Sequence, residues 1–100
     1  MVSVKIEKAT AKGKKYKAIF FDDKGKRIKT SQFGQAGADD YTITKDKMQR
    51  KRYRDRHEKD LKSGDYMKPG FLSYYILWGN STSLQTNIKD YRKRFGLKKA

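Results

Sequence analysis

The sequence predicts an α+β fold: a three-stranded antiparallel β-meander over about residues 2–33, followed by three helices packed on one face of the sheet. Two patterns support this prediction. Apolar and polar residues alternate with a period of two in the first third of the chain, whereas apolar residues beyond residue 43 recur at helical spacing. A chain of 100 residues buries only a modest core, so we expect a single basic domain over residues 1–100.

The alternation defines three strands and their turns. The first strand begins at Val2, the second covers residues 15–21, and the third covers residues 26–33. The sequence DDKG at residues 22–25 predicts a hairpin turn, because Asp favours the turn start and Gly accepts a left-handed conformation. The inward-facing residues are then Val2, Val4, Ile6, Tyr16, Ala18 and Phe20. The outer face carries some combination of Lys15, Lys17, Arg27 and Lys29, which either protect the sheet edges or add to a cationic surface.

The loop at residues 34–43, GQAGADDYTI, has two interpretations. Gly34 and Gly37 would let the backbone approach a phosphate, and the carboxylates of Asp39 and Asp40 would suit a metal. Such a loop is more often a simple turn, so we expect no metal and no cofactor. We expect Asp40 to hold a nearby Arg or backbone amides.

The first predicted helix, at about residues 45–63, is the most basic part of the chain. Residues 44–63 carry nine Lys or Arg against four Asp or Glu. Thr44 is expected to cap the helix start, and Gly64 supplies the stop. At 100° per residue Tyr53, His57 and Leu61 form one stripe, which should face the core. We assign six cations on the remaining circumference to a binding surface: Arg50, Lys51, Arg52, Arg54, Arg56 and Lys59.

Two further helices follow, at about residues 69–78 and 83–95. Pro69 suits the first turn of a short buried helix, although a strand is the alternative. Its aromatic residues Tyr74, Tyr75 and Trp78 would either stack on bases or pack in the core, and we favour the core. Thr82 and Gln85 predict a capping box for the last helix, and Gly96 predicts its end. The apolar stripe of that helix is Leu84, Ile88, Tyr91 and Phe95. Its exposed cations are Lys89, Arg92, Lys93 and Arg94.

Composition excludes several classes of protein. A net charge of +15 attracts polyanions, and 13% aromatic residues is too many for a disordered basic tail. The absence of Cys excludes disulfides and thiolate zinc sites, and His57 is the only histidine. The N-terminus does not resemble a signal peptide, and the longest apolar run, at residues 74–78, is too short to span a bilayer. We therefore expect a protein that is neither secreted nor transmembrane and has no membrane partner.

Three motifs follow one another along the chain: FGQAGADDYT, RKRYRDRH and PGFLSYYILWGNSTSLQTNIKDYRKRF. In this order they resemble a family of small basic proteins encoded by large nucleocytoplasmic DNA viruses of algae and protists. The resemblance extends from Tyr16 to Leu97. It implies a viral origin rather than a particular activity, with a location in the virion or in the cytoplasm or nucleus of an infected host cell.

The leading functional hypothesis is a non-enzymatic nucleic-acid-binding protein that makes sequence-independent phosphate contacts, for DNA binding or genome packaging. Duplex DNA is the favoured partner and RNA the second. An alternative is a structural, minor-capsid-associated virion protein that binds an acidic viral protein. A small nuclease using His57 with Asp55 or Glu58 is the least favoured hypothesis, because no second His can complete an acid–base pair.

Overall fold

The computed structural model describes all 100 residues and confirms an α+β fold whose sheet is formed mainly by the first third of the chain. Strands β1 (Ser3–Lys8), β2 (Lys14–Phe21) and β3 (Arg27–Gln35) pair in antiparallel order. The register places Val4 opposite Phe20, and both side chains are buried in the cluster that includes the helical residues. The alternation of apolar residues therefore predicted the strands and their inward face correctly.

A fourth strand completes the sheet and was not predicted. Strand β4 (Lys98–Lys99) pairs in parallel with β1, giving the strand order β3-β2-β1-β4 in a mixed sheet. The amides of Lys98 and Ala100 donate to the carbonyls of Val2 and Val4, each at 3.0 Å. The purely antiparallel meander is thus an incomplete description. Two exposed lysines show no alternation that would have indicated a strand.

The predicted helix at residues 45–63 is divided in the structure. Helix α1 (Tyr41–Thr44) precedes helix α2 (Lys47–His57), and a 3₁₀ helix (Glu58–Ser63) continues from it. Lys45 separates the first two, because it adopts a left-handed conformation with φ of 58°. The expected stop at Gly64 is confirmed, since this residue is also left-handed.

The start of α2 is capped by Asp46 and not by Thr44. The Asp46 carboxylate accepts hydrogen bonds from the amides of Met48 and Gln49, at 2.9 and 3.1 Å. The Thr44 hydroxyl instead bonds the side chain of Gln49 at 2.7 Å. Asp is at least as good an N-cap as Thr, so the residue nearer the helix took the role.

The second predicted helix begins as a short α-helix and ends as a wider turn. Helix α3 (Pro69–Leu72) has Pro69 in its first turn, as expected. A π-helical turn (Ser73–Leu77) follows, and the Trp78 amide donates to the carbonyl five residues earlier, at 3.0 Å. The helical prediction for this stretch is confirmed, and the strand alternative is wrong.

The last helix, α4 (Leu84–Phe95), has nearly the predicted bounds. Its cap is Ser83, whose hydroxyl accepts from the amide of Thr86 at 3.3 Å, so the capping box of Thr82 and Gln85 is wrong. Gly96 ends the helix in a left-handed conformation, as expected.

The core lies between the helical layer and one face of the sheet. Its central buried residues are Val4, Phe20, Phe33, Leu72, Ile76, Leu77, Trp78, Ile88 and Tyr91. Trp78 is 7% exposed, which confirms its predicted burial, whereas Leu84 and Phe95 are only partly buried at the edge of the core. No helix in the chain has the length and apolar character that a membrane crossing would require.

Candidate nucleic-acid interface

Most of the positive charge of this protein has no carboxylate partner. The chain has 26 Lys and Arg and 11 Asp and Glu, and five of the lysines form ion pairs. These lysines are Lys5, Lys15, Lys17, Lys29 and Lys51. Three of the four cations expected on the outer sheet face are therefore paired, and Arg27 is not. None of the seven arginines pairs with a carboxylate, so every guanidinium group adds uncompensated positive charge to that of the unpaired lysines.

The outer side of α2 presents exposed cations to solvent. Arg52 and Arg56 are exposed and lie away from the stripe that faces the core, as the helical projection predicted. Lys59 is exposed in the 3₁₀ helix. Lys51 is partly engaged, because its Nζ lies 2.8 Å from a carboxylate oxygen of Asp55, which also raises the pKa of Lys51. Arg52 and Arg56 are thus the residues of α2 best placed to contact an external anion.

Arg50 and Arg54 make contacts inside the protein that the sequence did not predict. A terminal nitrogen of Arg50 donates to the Asn80 carbonyl at 3.1 Å, and its guanidinium lies 4.4 Å from the centre of the Tyr41 ring. Arg54 donates through Nε to the Trp78 carbonyl at 2.8 Å and through Nη2 to the Asn80 side chain at 3.0 Å. The two arginines therefore anchor α2 to the segment after the π-helical turn. Burial and the neighbouring Arg50 charge lower the pKa of Arg54, although a guanidinium stays charged in proteins.

The inner stripe of α2 forms an aromatic stack. The Tyr53 ring lies between Trp78, at 4.4 Å, and His57, at 4.1 Å. Burial is the main cause that raises the pKa of Tyr53. Nδ1 of His57 lies 2.9 Å from a carboxylate oxygen of Asp60. His57 thus helps to hold α2 on the core, as a structural role requires.

The structure does not assemble the acid–base pair on which the nuclease hypothesis depended. Asp55 pairs with Lys51, and His57 pairs with Asp60 in place of Asp55 or Glu58. Of the two loop carboxylates, Asp39 forms no ion pair, whereas Asp40 caps α1 and binds Lys15 at 2.7 Å. No group of three or more acidic or histidine side chains could hold a metal ion.

Helix α4 completes the cationic surface. Lys89, Lys93 and Arg94 are exposed, and Arg92 is partly buried. The Arg94 guanidinium lies 4.8 Å from the centre of the Tyr75 ring. Arg94 and Arg54 line one cavity of about 240 Å³, which we call the Arg54–Arg94 notch. The notch brings the two basic helices together at one place.

The walls of the notch contain residues that sequence reasoning missed. Tyr74, Tyr75, Asn80 and Asp90 line it with the two arginines. The tyrosines were assigned to the core, yet both are only partly buried. Asn80 and Asp90 carried no local signal, because their position depends on how the π-helical turn and α4 pack together.

Comparison with known proteins identifies one family. A family model with the description "Family of unknown function (DUF5754)" matches residues 4–57, which cover β1 from its second residue and all of β2, β3, α1 and α2. No curated protein and no solved structure matches the chain.

Proposed function

The chain belongs to this family of unknown function, and we propose from its surface that it is a non-enzymatic nucleic-acid-binding protein. It contacts phosphates through exposed cations of α2, the 3₁₀ helix and α4, with little or no reading of base sequence. The observation that supports this proposal is that Arg52 and Arg56 are exposed, form no ion pair and lie on the side of α2 opposite the core.

Charge and geometry both favour a polyanion as the partner. A net charge of +15 on a chain of 100 residues attracts any extended array of negative charge. Guanidinium groups match phosphate oxygens with two parallel hydrogen bonds, and the arginines of this chain have no carboxylate that would compete. Duplex DNA is the first partner proposed, because its phosphates form a continuous array, and RNA is the second.

The anchoring of α2 explains how the surface is held in place. Arg50 and Arg54 fix the helix to the carbonyls of residues 78–80, while Tyr53 packs against Trp78. Because these hydrogen bonds and this aromatic packing fix the inner side of α2, the helix holds the backbone of Arg52 and Arg56 in place on its outer side. A cationic surface on a fixed helix loses less conformational freedom when it binds a partner.

We further propose that the protein belongs to a large DNA virus and acts in the virion or in the infected cell. This proposal is supported only by the resemblance of the three sequence motifs. A role as a virion protein that binds an acidic protein partner would use the same exposed cations, so it is an outcome of the experiment below.

The test is a titration by fluorescence anisotropy against duplex DNA, single-stranded DNA and duplex RNA of equal length. Five to eight phosphate contacts predict that log K falls against log salt with a slope of about −4 to −7 on duplex DNA. Duplexes of different sequence and equal length should bind with nearly equal affinity. Absence of binding to every nucleic acid at low salt would contradict the proposal and would favour an acidic protein partner.

A further inference from the structure

We propose that the Arg54–Arg94 notch binds a single unpaired nucleotide, with its phosphate between the two guanidinium groups and its base against the partly exposed rings of Tyr74 and Tyr75. This inference rests on the proposed function and adds a second kind of contact to it. The outer face of α2 would hold the backbone of any nucleic acid, whereas the notch would favour a strand end or an unpaired base.

The two arginines form an incomplete anion site. Neither is paired with a carboxylate, and Arg54 uses only two of its five N–H donors on Trp78 and Asn80. Arg94 lies over Tyr75, while the Arg54 guanidinium lies 5.8 Å from the centre of the Tyr74 ring. The positive charge of Arg94 is among the causes that lower the pKa of Arg54, after burial and Arg50. A phosphate between the two groups would remove this repulsion.

The tyrosines supply a surface on which a base can stack. Tyr74 and Tyr75 lie edge to face, with ring centres 5.0 Å apart, and neither ring is fully buried. Both belong to the π-helical turn, a distortion of helices that is frequent at functional sites. Bases stack on such rings with little dependence on their identity.

Asp90 indicates a nucleotide in preference to a bare phosphate. Its carboxylate lines the notch, is exposed to solvent and forms no ion pair, although Arg94 is only one helical turn away. A carboxylate repels a phosphate, but it accepts hydrogen bonds from a base amino group or a ribose hydroxyl. Asn80 offers both a donor and an acceptor on the same wall.

The size of the notch limits what can enter. Its volume of about 240 Å³ lies below the range of about 300–1,000 Å³ that is typical of small-molecule sites. A cavity of this volume can hold one nucleotide unit but not a duplex. A paired base also cannot present its face to a tyrosine, because the neighbouring bases of the stack cover it. The ligand is therefore either a free nucleotide or an unpaired position in a strand.

The experiment compares Arg94→Gln with Arg92→Gln, two variants that remove one positive charge from the same helix. The probes are a labelled single-stranded oligodeoxycytidylate, whose bases carry an amino group, and a labelled duplex of equal length. We expect both variants to weaken duplex binding equally. Arg94→Gln should weaken single-strand binding by about tenfold or more beyond Arg92→Gln, because a hydrogen bond to a charged group is lost. Equal losses on both probes would overturn the notch while leaving the proposed function intact.

Two further measurements keep the outcome decisive. Asp90→Asn should weaken single-strand binding in spite of the added positive charge, whereas stronger binding would show that the notch holds phosphate alone. Cytidine monophosphate and inorganic phosphate are titrated separately against the wild-type protein, with amide NMR shifts at residues 74–94 as the readout. Shifts that are larger with the nucleotide than with phosphate at equal concentration support the notch even if no strand binds, and they then assign it to free nucleotides. Equal shifts would show a phosphate site alone and would overturn the proposal. No nucleotide-dependent shifts would overturn it.

Discussion

Replacing Trp78 by Ala should destabilise the protein by about 4 kcal/mol. The side chain is 7% exposed, and its ring is stacked on Tyr53 at 4.4 Å with an angle of 9° between the planes. Burying about 150–250 Å² of aromatic surface at about 25 cal/mol per Å² gives about 4–6 kcal/mol, and Trp→Ala changes in cores cost about 3–5 kcal/mol. A domain of this size has a total stability of about 5–15 kcal/mol, so the change removes a large part of it.

The assay for this prediction is urea unfolding followed by far-UV circular dichroism. Trp78 is the only tryptophan, so its fluorescence cannot report on the variant. Met48→Ala on α2 is the matched control, because Met48 is 60% exposed and its change should alter stability by no more than about 0.5 kcal/mol. A loss below about 1 kcal/mol for Trp78→Ala would refute the reasoning. If nucleic-acid binding disappeared at the same time, the ring would be a base-stacking surface.

Three further predictions concern stability. Asn87→Ala should cost about 2–4 kcal/mol in urea unfolding, because the side chain is fully buried and its removal leaves backbone groups without hydrogen-bond partners; a loss under about 1 kcal/mol would contradict this. Gly34→Ala should lower the melting temperature, because the new Cβ would lie 2.8 Å from Leu77 Cδ1 in a left-handed conformation, and an unchanged value would disprove the close approach. Burial raises the pKa of Tyr91, so above about pH 10 only the unfolded tyrosine ionises and the free energy of unfolding falls by up to about 1.4 kcal/mol per pH unit. Tyr91→Phe should make this decline smaller in unfolding curves measured at alkaline pH. An identical decline in the variant would contradict the prediction.

The sequence predicted the parts of the fold that depend on local periodicity. The alternation from Val2 to Phe20 identified the covered sheet face, and the spacing of Ile88 and Tyr91 identified the buried side of α4. The stripe that includes Tyr53 also faces the core. Each of these features depends on a repeat of two or of 3.6 residues, which can be identified in the sequence without knowledge of distant contacts.

Features that depend on distant contacts could not be predicted. The carbonyl groups that anchor Arg50 and Arg54 lie 24 to 30 residues further along the chain, so helical projection could not show that these arginines also hold α2 in place. Strand β4 has only two residues, and its pairing depends on where α4 ends. The Arg54–Arg94 notch likewise exists only because the π-helical turn brings α2 and α4 to one place.

The most direct test of the proposed interface is the salt dependence of duplex DNA binding by the double variant Arg52→Ala/Arg56→Ala. Both side chains are exposed, so folding should be unchanged in circular dichroism. The control is Lys24→Ala/Lys26→Ala, which removes the same charge from the turn between β2 and β3. If Arg52 and Arg56 contact phosphates, the log–log slope becomes shallower by up to about 2 units in the arginine variant and stays the same in the control. Equal slopes in the wild type and both variants would contradict a phosphate-binding surface on the outer side of α2.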